Sequence, residues 1–180
     1  MYAVTKTIHF CYGHRLLNYR GKCRYLHGHN GKVEIELASE RLDSRGMVRD
    51  FGEIKQVLQT WIDRELDHKM LMARQDPALP VLRELGEPVF VMEENPTAEA
   101  LARLIFDYAA SQGFPVTAVR LWETDASVAT YRRTETWRRV LPLRHPTRPR
   151  RAALSASSAP VGRGPRLRVT RRRRSTSTAA

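Results

Sequence analysis

Apolar and polar residues alternate over residues 4–12, where Val4, Ile8, Phe10 and Tyr12 share one parity and Thr5, Thr7 and His9 the other. Successive side chains of an extended chain point to opposite faces, so this stretch reads as a half-buried strand. Residues 29–38 repeat the pattern, with Val33, Ile35 and Leu37 set against Lys32, Glu34 and Glu36, and a turn-like "LDSRG" follows. The period then changes. In "RDFGEIKQVLQTWIDREL" the apolar positions Phe51, Ile54, Val57, Leu58, Trp61, Ile62 and Leu66 recur at three and four, which predicts an amphipathic helix. Asp50, with Glu53 three residues on, resembles an N-cap pair.

"DPALP" and "GEPV" read as loop, broken by one short apolar piece. A second helix fits 97–111, with Leu101, Leu104, Ile105 and Tyr108 on one face, Thr97 as its cap and Glu99 at the positive end of its dipole. "VTAVRLWET" and "SVATYRR" close the pattern as two strands joined near Asp125. The order β-β-α-α-β-β predicts an α+β domain: a four-stranded antiparallel sheet with two helices packed on one face. No internal repeat interrupts it.

Charge changes the picture only at one end. The chain of 180 residues carries a net +12, but residues 141–180 hold 11 arginines and no acid. The rest sets 20 Lys+Arg against 19 Asp+Glu and is nearly neutral. The expected organisation is a folded domain over 1–140 and a disordered Arg-rich tail over 141–180, too poor in large apolar residues to offset its ordering entropy. Such a tail is expected to stay solvated and to bind RNA weakly and salt-dependently at most. No apolar run approaches the length of a membrane span, and the first residues carry no basic flank with an apolar stretch behind it. Two cysteines are too few for a disulfide framework. A cytoplasmic location is expected, where thiols are packed, catalytic or metal-bound.

The chemistry concentrates in "KCRYLHGHN". His27 and His29 are two apart, and so on one face of an extended chain, in phase with Val33, Ile35 and Leu37. His14 is in phase with Ile8, Phe10 and Tyr12. If the two strands pair as a hairpin, three imidazoles converge, a donor set for zinc with one coordination position open. A structural finger built from Cys11, Cys23, His27 and His29 is a poorer match, because H-x-H is shorter than finger spacing. Cys23 is either a thiol close to that metal or a small packed residue. Asp67 and His68, in "LDHK", are either an orienter and proton carrier or an ordinary helix end. Glu123 shares the parity of Val119 and Leu121. A carboxylate there needs a partner, either the two-donor edge of a heterocycle or a buried arginine.

"GHRL", "CRYLHGH", "MVRDF", "LDHKML", "NPTAEALA" and "WET" occur in the order found in the 6-pyruvoyl-tetrahydropterin synthase / 6-carboxytetrahydropterin synthase family, and together they span most of residues 1–131. The resemblance implies the tunnelling fold (T-fold), homo-oligomers built commonly as a dimer of trimers, and sites between subunits. It implies that His14, His27 and His29 hold a catalytic Zn2+ and that Cys23 is the general base. Asp67 and His68 would pass protons, Glu123 would anchor a pterin edge, and Thr97 would contact the pterin. The implied substrate is 7,8-dihydroneopterin triphosphate. Keeping its side chain gives 6-pyruvoyl-tetrahydropterin, whereas cleaving it gives 6-carboxytetrahydropterin and acetaldehyde, a step toward 7-deazaguanine compounds such as queuosine. The Cys-x3-His-Gly-His spacing resembles the carboxy type, and "GKCRYLHGH" lacks the acid of a folate-linked branch. Cys11 departs from the small residues common at its position, and the Arg-rich tail has no counterpart. The reading from another class is a metal-stabilised RNA-binding protein acting through that tail.

Overall fold

The computed structural model describes residues 1–133. The Arg-rich segment 141–180 lies outside the described residues. Strands β1 (Tyr2–His14) and β2 (His27–Ser39) form the long hairpin that the alternation predicts. Their antiparallel register runs unbroken from Tyr2 opposite Ser39 to His14 opposite His27. Helix α1 (Phe51–Ile54) runs through a π-helical segment, Lys55–Gln59, into α2 (Thr60–Glu65). Asp50 caps α1 by accepting from the Gly52 amide, while Glu53 pairs with Arg49 instead of closing a capping box.

After β3 (Lys69–Ala73), α3 (Leu79–Glu84) and β4 (Val89–Met92) comes α4 (Ala98–Ser111), then β5 (Val116–Thr124) and β6 (Ser127–Tyr131). The α1–α2 helix and α4 pack on one face of the sheet. Ile54, Leu58, Ile62, Leu101 and Ile105 meet Ile8, Phe10, Val33, Ile35 and Leu121 there in one core.

Among the described residues the sheet has six strands, in the order β4-β3-β1-β2-β5-β6, and is mixed rather than four-stranded and antiparallel. β3 runs parallel to β1, and β4 parallel to β3. The sequence hides both because they are covered on both sides. Leu71 and Met92 face the main core, while Met72 packs with Leu79 and Leu82 of α3 on the other face. A strand buried on both faces shows a continuous apolar run, "KMLMA" or "VFVM", and no alternation. Helix α3, one turn and a half within the expected loop, is also an addition. It leaves two helices on one face and a third, short one opposite.

Candidate metal centre and its surroundings

The unbroken β1–β2 register places His27 directly across from His14, with His29 on the same face two residues on. The three rings stand around a common point, their centroids 4.5 to 5.0 Å apart. The Nε2 atom of His14 lies 3.0 Å from Nε2 of His27 and 3.2 Å from Nε2 of His29. Two of the outer nitrogens are fixed. Nδ1 of His14 donates to the carbonyl oxygen of Pro96 at 2.7 Å, and Nδ1 of His27 donates to that of Tyr25 at 2.8 Å. A neutral imidazole whose Nδ1 carries the proton presents a lone pair at Nε2. His14 and His27 therefore aim lone pair at lone pair, an arrangement that repels unless a cation sits between them. Nitrogens at about 2.0–2.1 Å from a tetrahedral ion stand about 3.3 Å apart, so the donor set fits a zinc-sized ion. The carbonyl partners are the outer contacts that metal-binding histidines use to fix their tautomer.

His14 is 2% exposed. Its pKa is held below 6.5, chiefly by burial, against the opposing pull of the Pro96 bond and of Glu123. A neutral ring is the form that ligates. Glu123 Oε1 is 3.8 Å from Nε2 of both His14 and His29, and it accepts a hydrogen bond from the Tyr12 hydroxyl at 3.2 Å. Burial, then the Glu123 carboxylate, push the Tyr12 phenol well above its usual range. No arginine pairs with Glu123 among the described residues. A register irregularity between Trp122 and Thr124 falls at this glutamate, a device that re-aims a side chain near a site.

A cavity of about 340 Å³ opens beside the histidines, lined by His14, Cys23, Thr97, Glu123 and Tyr19 among others. Cys23 sits in a 3-10 turn, Lys22–Arg24, whose position is tied to the segment just after β1 by the Leu16 amide donating to the Cys23 carbonyl at 2.8 Å. Thr97 is the cap of α4, its hydroxyl accepting from the Ala100 amide at 3.2 Å.

Residues 3–134 match the family model described as 6-pyruvoyl tetrahydropterin synthase. The chain belongs to that family. Among its relatives, the 6-carboxy-5,6,7,8-tetrahydropterin synthase of Rickettsia conorii is 37% identical over 131 residues, covering 69% of this chain and 95% of the relative. The protein of the same name from Aquifex aeolicus is 34% identical over 157 residues, covering 72% and 96%. An uncharacterized protein from Wolinella succinogenes superposes with a TM-score of 0.64 at 28% identity, over 74% of this chain and 98% of that one. The Caenorhabditis elegans 6-pyruvoyl tetrahydropterin synthase shares the T-fold, with a TM-score of 0.56 at 21% identity over 74% and 96%. The chain is a 6-carboxytetrahydropterin synthase-like lyase.

In this synthase-family chain Asp67 and His68 do bond to each other, with 2.7 Å between Asp67 Oδ2 and Nδ1 of His68. Helix α2 has ended at Glu65, and His68 takes a left-handed conformation with φ +54°, which brings the neighbours onto one side. The pair is strapped to β1: the Cys11 amide donates to Asp67 Oδ1 at 2.7 Å and the His68 amide to the Cys11 carbonyl at 2.7 Å. It does not share a cavity with Cys23. His68 lines a second one, of about 550 Å³, with Cys11, Asn30, His27 and His29. Tyr12, Pro96 and Asn95 support the site; Asn95 and Pro96 open the "NPTAEALA" motif, whereas Tyr12 belongs to none. Only the parity of Tyr12 with His14 marks it in the sequence.

Proposed function

We propose that the chain is a zinc-dependent lyase that converts 7,8-dihydroneopterin triphosphate, with water, to 6-carboxy-5,6,7,8-tetrahydropterin, acetaldehyde and triphosphate. The observation that carries this reading is the meeting of three imidazole Nε2 atoms, two of them tautomer-fixed, beside a cavity that also holds Cys23 and Glu123. His14, His27 and His29 hold the zinc, which when bound supplies Lewis-acid polarisation of oxygens on the substrate side chain. The remaining work belongs to the chain's own groups. Glu123 accepts from the two-donor edge of the pterin, its carboxylate steadied by the Tyr12 hydroxyl. Thr97, at the mouth of α4, contacts the ring. Cys23, as a thiolate, removes a proton from the side chain.

His68 carries protons to and from the substrate, its ring oriented by Asp67. Because that pair opens on a different cavity from Cys23, the reading brings it to the reaction from a neighbouring copy of the chain, in a homo-oligomer of the dimer-of-trimers kind. The reading places the reaction in the cytoplasm, and its product suits the making of 7-deazaguanine compounds. The carboxy outcome rests on the names of relatives at 30–37% identity and on the Cys-x3-His-Gly-His spacing.

Mass spectrometry of the products decides it. The purified chain with 7,8-dihydroneopterin triphosphate should yield the 6-carboxy pterin and acetaldehyde, and Cys23→Ala should abolish turnover. A product that keeps its three-carbon side chain would assign the 6-pyruvoyl reaction instead.

A further inference from the structure

Cys11 is not used by the proposed chemistry, yet it stands in a cluster of its own. One donor atom each from Cys11, Asp67 and His68 lies within 4.8 Å of the other two. The Cys11 thiol points at its cross-strand neighbour Asn30 and donates to Oδ1 at 3.1 Å, which adds an amide oxygen to the group. Two hydrogen bonds to the Cys11 backbone fix the cluster, since the Cys11 amide donates to Asp67 Oδ1 and the Cys11 carbonyl accepts from the His68 amide. His68 is kept by that second bond in a left-handed conformation that a non-glycine residue adopts at a cost, and such strain persists where surrounding contacts over-determine it. Cys11, Asn30 and His68 face the 550 Å³ cavity, so an ion has a route in from solvent.

We propose that Cys11, Asp67 and His68, with the Asn30 amide oxygen beside them, form a second cation site that takes a borderline-soft divalent ion such as zinc or cobalt. Sulfur, imidazole and carboxylate donors in one set favour such ions over magnesium or calcium, which require oxygen ligands. The side chain of His68 is 78% exposed and free to turn inward, and Asp67 Oδ2 is free to exchange its bond to His68 for one to the ion. Binding releases the thiol proton, while the His68 ring ligates in its neutral form and keeps its one proton on the nitrogen that does not bind the ion. The site would also lock the Asp67–His68 pair. Excess metal therefore inhibits turnover, a consequence that rests on the proton-carrying role of that pair, whereas the binding itself does not.

Cobalt(II) titration of the metal-free full-length chain tests it, because a cobalt–thiolate bond gives a charge-transfer absorption in the near ultraviolet that histidine-only coordination lacks. The expected result is that this band grows in with cobalt added beyond the first equivalent. Cys11→Ser should remove it, Cys23→Ser should leave it, and His68→Ala, at an exposed position, should weaken cobalt binding at that site by roughly tenfold or more. His27→Ala with His29→Ala should lose the first equivalent and keep the band, which separates failure of this site from failure of the three-histidine centre. Absence of the band in the wild-type chain, its survival in Cys11→Ser, or its loss in Cys23→Ser overturns the proposal.

Discussion

The imidazole of His14 and the carbonyl of Pro96 are 82 positions apart in sequence and 2.7 Å apart in space. That bond leaves Nε2 as the ligating atom. Pro96 is held in turn by its neighbour, since the Asn95 side chain accepts from the Leu17 amide at 2.8 Å and donates to the Leu17 carbonyl at 2.9 Å. Asn95 is thus a positioning residue for the metal centre. Asn95→Ala, which loosens the clamp but leaves the Pro96 carbonyl in place, is expected to weaken zinc affinity by roughly tenfold, the low end of the effect of losing an outer partner. Competition with a chromophoric chelator measures it. Unchanged affinity in a variant with a lowered melting temperature would reduce Asn95 to a purely structural clamp.

Tyr12→Phe removes one hydrogen-bond donor from the Glu123 carboxylate without emptying the core. A bond to a charged group contributes about 1.5 kcal/mol, so KM for the pterin substrate should rise roughly tenfold while zinc content stays constant. A fall in zinc content instead would place Tyr12 among the supports of the histidines.

If one copy supplies Cys23 and another supplies Asp67 and His68, two inactive variants should rescue each other. Cys23→Ala and His68→Ala are each expected to lose turnover, and oligomers reassembled from an equal mixture should regain roughly a quarter of wild-type activity. No recovery from demonstrably mixed oligomers would confine the reaction to a single chain.

Arg15 grips the buried Asp76 with two hydrogen bonds, at 2.7 and 2.5 Å, and Asp76 also accepts from the Ala78 amide. Burial pushes the Asp76 pKa up, but the Arg15 guanidinium and the amide outweigh it and hold it below 3.8. A carboxyl depressed in the folded state contributes stability that is fully present above its unfolded value and is lost as pH falls through the folded value. Asp76→Asn should cost about 3 kcal/mol at neutral pH, and the gap from wild type should close below 3.8. Urea unfolding across that range checks both.

Sequence periodicity was a sound guide wherever one face of an element meets water. The β1–β2 hairpin follows from alternation at Ile8, Phe10, Val33 and Ile35, and with it the convergence of His14, His27 and His29. Thr97 reads as a cap and is one. β3 and β4 were illegible because α3 covers their second face, so Met70, Leu71 and Met72 are all apolar and carry no period. The Asp67–His68 bond depends on a positive φ at His68, which no residue type announces. The Tyr12–Glu123 contact joins positions 111 apart, and parity gives the direction of each side chain but not its partner.

The most direct test concerns the three histidines. Metal analysis of the full-length chain, stripped with chelator and then reconstituted, is expected to return about one tightly held zinc per chain. Acetaldehyde release from 7,8-dihydroneopterin triphosphate should vanish on stripping and return with zinc, and His27→Ala should lose both metal and turnover. Undiminished acetaldehyde release from the stripped chain, or full zinc retention in His27→Ala, would contradict the account.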